Sequence, residues 1–204
     1  MEGSLEQARK YESEAISIFD EIGDKQNSAR FQLELAELSI DEHNGLEAAS
    51  IASRVSQEFA RENAFRDESL ANAVLSRALL VQGNISAAKT AIERALALSE
   101  NYHDRQVELS VALTAARVRA ASGAASDRAE ATRRLEQVLS DSSKTGFLKY
   151  AFEARLALGE IELQSGNRVN GRLRLESLMK DASDKSFQLV AREAATDLKQ
   201  VAQP

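Results

Sequence analysis

The residues in this chain that could do chemistry are two histidines, a scatter of serines and several groups of arginines; there is no cysteine. A metal centre needs three or four His, Cys or carboxylate ligands converging on one point. His43 and His103 lie sixty residues apart, and their acidic neighbours Glu42 and Asp104 are adjacent in sequence, so on a helix they point in other directions. Both histidines read as surface residues or as cations near helix C-termini. No Gly-x-Ser-x-Gly elbow, nucleophile–base pair or glycine-rich phosphate loop is present. The expectation is a protein that is not an enzyme, with no cofactor and no metal site.

The arginines divide into two kinds. Arg128, Arg133 and Arg134, and then Arg168, Arg172 and Arg174, could face phosphates, but Glu130, Glu136 and Glu176 interleave with them and no stacking aromatics alternate with them. They read as solvated helix faces. Arg77 and Arg117 occupy a repeated position. Each follows a small residue, Ser76 or Ala116, and Glu37 and Glu160 follow Ala36 and Gly159 in the same way. Three positions before the small residue stand Leu33, Ala73, Leu113 and Leu156; four positions after it stand Ile40, Leu80, Ala120 and Leu163. A charged row therefore crosses an apolar strip, provided that the elements carrying these residues lie side by side.

The small residues place those elements. Ser76 and Ala88 are twelve apart and bracket a Gly83-Asn84 turn between two apolar-periodic runs, as two antiparallel helices in close contact require. Ala36/Ala48 and Gly159/Gly171 repeat the spacing, and Ala116/Ala131 repeats it with three residues added to the turn. The expected first helices span 27–42, 67–82, 104–122 and 147–165, and the second helices 46–63, 85–101, 127–144 and 168–184. Residues 5 to 22 form one more helix, with Ala8, Tyr11, Ala15, Phe19 and Ile22 on one face. That face matches the later second helices (Ala48, Ala52, Val55; Ala88, Ile92, Ala95), so 5–25 reads as a half repeat without its first helix, which implies a piece cut from something longer. A last helix, 186–202, reads as a first helix with Lys199 where the small residue should be, which suits a cap facing water.

Composition agrees with helices throughout. Pro occurs once, at Pro204, and the nine glycines fall mostly where one pattern stops and the next begins. The net charge of −6 is unevenly divided: residues 1–100 carry 10 Lys+Arg against 18 Asp+Glu, and residues 101–204 carry 16 against 14. That is a dipole, without the basic excess of a nucleic-acid binder. No apolar run approaches the ~20 residues of a membrane span, and Met1-Glu2-Gly3-Ser4 lacks the basic and apolar regions of a signal peptide. A cytoplasmic location follows, or a periplasmic or extracytoplasmic one if a parent protein is anchored in a membrane.

The pattern resembles tetratricopeptide repeats, whose signature has a Leu followed by a small residue in the first helix, a Gly at the turn and an Ala-x3-Phe-x2-Ala face on the second. Leu75-Ser76, Gly83 and Ala88-Ile92-Ala95 carry it here, as do Leu158-Gly159, Gly166 and Gly171-Leu175-Leu178. Spacing near 40 residues, against a norm of about 34, is similar to the long repeats of kinesin light chains and of bacterial signalling and regulatory proteins. The family's Trp and repeat-ending Pro are absent. The resemblance implies an all-α, right-handed TPR-like solenoid of antiparallel helix pairs with a C-terminal capping helix, a single domain over 1–204 (half repeat 5–25; pairs 27–63, 67–101, 104–144 and 147–184; cap 186–202). It also implies a concave groove.

In such folds the row Glu37, Arg77, Arg117, Glu160 faces that groove, with Leu80 and Leu163 on its floor. An alternative stays open: the apolar positions are core, and the charges neutralise each other between adjacent helices. The chaperone-tail clamp of some family members needs Lys and Asn at groove positions, which Leu33, Glu37, Ala73 and Arg77 do not match. The functional expectation is a non-enzymatic protein-interaction module, a fragment of a larger bacterial signalling or regulatory protein, binding a protein or peptide segment. An acidic segment would be drawn to Arg77 and Arg117; nucleic acid and membrane are not partners. The alternative is a structural or self-assembly element that packs through its open N-terminal half repeat.

Overall fold

The computed structural model describes residues 2–101 and 103–201, with side chains from 5 to 200; the ends of the expected 1–204 domain and residue 202 of the expected cap lie outside them. Ten helices and no strand occur among the described residues: α1 (Glu2–Glu21), α2 (Lys25–Asp41), α3 (Gly45–Arg61), α4 (Phe65–Val81), α5 (Ile85–Ser99), α6 (Arg105–Ala121), α7 (Ala125–Thr145), α8 (Leu148–Gln164), α9 (Arg168–Asp184) and α10 (Gln188–Val201). The chain divides into two compact units, residues 1–114 and 115–204, with the boundary inside α6.

A recurring turn ends the helices. Gly23, Gly83 and Gly166 adopt the left-handed conformation, and His43, Asn63 and Ser186 take the same φ (58°, 56° and 66°) at the corresponding place in their turns. The next residue then donates back to the last helical turn: Asp24 to Phe19 O at 2.9 Å, Asn44 to Ser39 O at 2.8 Å, Asn84 to Leu79 O at 2.9 Å. That residue also begins the next helix. Asp24, Asn44 and Asn84 each accept the N–H three residues on, from Asn27, Glu47 and Ala87. A left-handed residue followed by Asp or Asn thus closes one helix and opens its antiparallel partner within three residues. His43 owes its place to this geometry, because His is among the side chains that tolerate positive φ.

In the first unit α1 packs on α2, α2 on α3, α3 on α4 and α4 on α5, and the first helices α2 and α4 lie side by side. Ala48, Ala52, Val55 and Phe59 on α3 are fully buried against Ala29, Leu33 and Ala36 of α2 and Ala71, Val74 and Ala78 of α4. Burying a side chain of the size of Val55 or Phe59 contributes roughly 1.5–3 kcal/mol. Close approach is what the small residues allow. Gly45 lies so near α4 that an added Cβ would stand 2.9 Å from Ala78 O. In the second unit α7 packs on α8, α8 on α9 and α9 on α10, with α8 beside α10. Its core gathers Phe152, Leu156, Leu175, Leu178, Ala182, Val190, Ala191 and Ala194. A Cβ on Gly159 would meet Leu175 Cδ2 at 2.6 Å, and one on Gly171 would meet Leu163 Cδ2 at 2.8 Å.

Candidate functional site

The charged row sits one residue beyond the helix crossings. Ser76 is wholly buried and its hydroxyl donates to Ala88 O at 2.7 Å, bonding α4 to α5 at the pair of small residues. The next side chain, Arg77, turns away from that contact and is half-buried. It reaches α2, where Arg77 Nη1 lies 3.2 Å from Glu37 Oε1, with about a fifth to a quarter of each side chain exposed. Leu33, Ala73 and Ile40 are buried beneath the row, whereas Leu80 stays half-buried.

In the second unit the row is Arg117 on α6 and Glu160 on α8. Arg117 Nη2 donates to Glu153 O of α8 at 3.3 Å, while its Nε is buried without a hydrogen-bond partner. Asp197 of α10 joins them. Its Oδ2 is also buried without a partner, and burial, reinforced by the negative charge of Glu160 and opposed by Arg117, pushes its carboxyl up to about 6. Leu113 and Leu156 belong to the core. Leu163 packs over Gly171 at the α8–α9 crossing, so it is tied to helix contact. These placements bear on the attraction expected for an acidic segment: Glu37 already holds Arg77, and Asp197 lies near Arg117.

Residues that sequence spacing did not single out carry the other charged contacts. Asp67 and Glu68, in the first turn of α4, are 5% and 3% exposed, unusual for carboxylates, and each is paired. Arg30 of α2 meets Asp67 at 2.8 Å, Arg66 meets Asp67 at 3.1 Å, and Arg66 meets Asp104 at 2.7 Å, a ladder across the starts of α2, α4 and α6. Arg94 of α5 reaches Glu68 at 2.7 Å. Asp104 also accepts from the N–H groups of Gln106 and Val107, and Arg66 with these bonds holds its carboxyl below the usual range. Near the N-terminus Arg9 of α1 binds Glu42 at the end of α2, Glu47 in the first turn of α3 and Ser39 Oγ.

Three arginines of the basic clusters are paired with interleaving glutamates, Arg133 and Arg134 with Glu130 and Arg172 with Glu176 at 2.9 Å. Arg174 instead makes a two-pronged bond to Glu162 of α8 at 2.8 and 2.9 Å, and Arg128 donates to Gly123 O. Among the described residues no three His, Cys, Asp or Glu side chains gather as a metal site, and both histidines are exposed. A cleft of about 380 Å³ opens where the end of α1 meets the start of α2 and the end of α3, lined by Asp20, Lys25, Gln32, Glu58, Arg61 and Glu62. No helix among the described residues is long and apolar enough to cross a membrane.

No protein-family model matches the sequence, and no curated protein matches it. Solved structures do. A Rap protein complexed with competence and sporulation factor aligns with a TM-score of 0.76 at 14% identity, over 98% of this chain and 61% of that protein, so the chain spans about three fifths of its length. Two structures of the nearly identical TPR-like repeats assigned to a kinesin light chain of Podosopora anserina align with TM-scores of 0.56 and 0.52 at 18% and 20% identity, over 91% and 90% of this chain and 90% and 95% of theirs. At these identities the likeness concerns the fold, which is an all-α, TPR-like helical repeat.

Proposed function

We propose that this chain is a non-enzymatic interaction module that holds a peptide or protein segment along its first helices, as part of a larger signalling or regulatory protein of bacterial type. The observation that carries the reading is the common register of half-buried side chains: Glu37 and Arg77 in the first unit, Arg117 and Glu160 in the second, each beside a buried small residue, with Leu80 half-buried one turn beyond Arg77. In tetratricopeptide repeats the equivalent face lines the concave groove, which supports the reading, and repeat folds bind along such surfaces. A neighbour of the same fold, the Rap protein, is complexed with a competence and sporulation factor.

An acidic segment was the partner expected from the arginines alone. Glu37 on Arg77, and Asp197 near Arg117, offset that attraction, so the reading takes a segment of mixed polar and apolar side chains. The test is selection of peptides from a displayed random library on the immobilised chain, followed by fluorescence anisotropy with Arg77→Glu and Arg117→Glu. At least one variant should lose about tenfold in affinity, roughly 1.4 kcal/mol, with unchanged circular dichroism. Two folded variants that bind every selected peptide as the parent does would overturn the reading.

A second reading, a structural element that assembles through α1, is favoured by one observation. Tyr11, Ile18 and Ile22 are 61%, 58% and 68% exposed. Sedimentation equilibrium decides it, since assembly through this face requires a concentration-dependent mass that Ile22→Ser removes.

A further inference from the structure

The cleft of about 380 Å³ where α1 ends, α2 begins and α3 ends is within the size range of small-molecule sites. The next helix pair does not repeat its lining. α4 and α5 begin 40 residues after α2 and α3, so Lys25, Ser28, Glu58 and Arg61 of the cleft correspond to Phe65, Glu68, Leu98 and Asn101. In the later pair Glu68 and Leu98 are buried, and Arg94 of α5 meets Glu68 at 2.7 Å. That repeat supplies its own buried carboxylate. In the earlier pair a serine stands in the carboxylate's place. Arg54, the counterpart of Arg94, turns instead to Gln32 Oε1 at 2.6 Å. Ser28 is 2% exposed yet lines the cleft; its hydroxyl accepts from Gln32 Nε2 at 3.1 Å, and its own proton has no acceptor among the described residues.

Charges of both signs line the cleft without meeting. Among the described residues neither Lys25 nor Arg61 has a carboxylate oxygen within 4.0 Å, and neither Asp20 nor Glu62 has a cation that near. Of the lining acids Glu58 is the paired one, with Arg54 at 3.6 Å. This differs from Arg9, Arg30, Arg66 and Arg94, each of which is held by a carboxylate of another helix or turn. The two cations would draw a carboxylate and the two acids an ammonium group, each through charge-assisted hydrogen bonds. A simple anion or a simple cation would meet its own sign across the cleft, whereas a molecule with one charge of each kind satisfies both sides.

We propose that this cleft binds a small zwitterion of amino-acid type, its carboxylate toward Lys25, Arg61 and the Ser28 hydroxyl and its ammonium group toward Asp20 and Glu62. The whole chain is titrated calorimetrically with each of the common amino acids in dilute buffer. At least one should bind with a Kd of ~1 mM or tighter. The amide of that amino acid lacks the carboxylate and its N-acetyl form lacks the ammonium group; each should bind about tenfold more weakly or worse. Ser28→Glu installs the carboxylate that the next repeat carries, and Lys25→Ala/Arg61→Ala removes the cations. Each variant, with circular dichroism like that of the parent, should lose about tenfold or more in affinity. The double alanine variant changes exposed side chains only, so it serves should Ser28→Glu fail to fold. The proposal is overturned if no amino acid binds below ~10 mM, if the amide or the N-acetyl form binds as well as the parent compound, or if Lys25→Ala/Arg61→Ala leaves the affinity unchanged.

Discussion

Asp197 is the residue whose protonation the fold alters most. Its folded value of about 6 lies above its ordinary 3.8, first because burial disfavours the charged carboxylate and then because Glu160 repels it. Between those two pH values the folded protein keeps a proton that the unfolded chain has released. Stability therefore falls as pH rises from about 4 to about 6 and is level above that. A two-unit shift corresponds at most to about 3 kcal/mol, and solvent screening at this half-exposed side chain reduces the expected cost to about 1 kcal/mol. Asp197→Asn removes the ionisation, so its advantage over the parent should be absent near pH 4 and reach about 1 kcal/mol by pH 7 in urea unfolding. Glu47 and Asp104, held low by Arg9 and Arg66, act in the opposite direction and lose stabilisation as pH falls. The comparison must therefore be between variant and parent at each pH. An advantage that is the same at both ends of the range would mean that Asp197 titrates like a solvated carboxylate.

At the scale of helices, the crossings were legible in the sequence and the ion pairs between helices were not. A twelve-residue spacing between small residues is local information, and Ala36, Ala48, Ser76 and Ala88 are all fully buried. The ladder from Arg30 through Asp67 and Arg66 to Asp104 joins residues 37 and 38 positions apart, and which turn faces which depends on helix register that no local pattern encodes. Gly159 gives a sharp test of the crossings. The Leu175 side chain occupies the place of its missing Cβ and is itself fully buried, so it cannot move aside freely. Gly159→Leu should cost about 1–3 kcal/mol in denaturant unfolding. Ser76→Leu should cost a similar amount, with loss of the hydroxyl bond to Ala88 O added to the overpacking. Midpoints unchanged in both variants would show that α4–α5 and α8–α9 do not meet at these residues.

For the whole molecule, helix content and repeat phase follow from periodicity and turn residues, and the groove charges could only be half read. Glu37 and Arg77 were visible as a row, but whether they face solvent or each other depends on the distance between α2 and α4, and the structure pairs them. The same pairing governs how the protein meets a polyanion. Nucleic-acid affinity comes chiefly from cations that displace counterions from phosphates. A chain of net charge −6 repels the duplex at long range, and four arginines of its basic clusters are already bonded to carboxylates: Arg133 and Arg134 to Glu130, Arg172 to Glu176, Arg174 to Glu162. Binding a phosphate would mean breaking those bonds for one interaction of the same kind. Anisotropy of a labelled duplex of about 20 base pairs in roughly 0.15 M salt should therefore stay flat up to tens of micromolar protein. Glu130→Gln with Glu176→Gln releases three arginines, and the response of that variant should be weak and disappear as salt is raised. Micromolar binding by the parent chain, with a steep salt dependence, would mean that the arginines of α7 and α9 exchange carboxylate for phosphate readily and that the chain also binds nucleic acid.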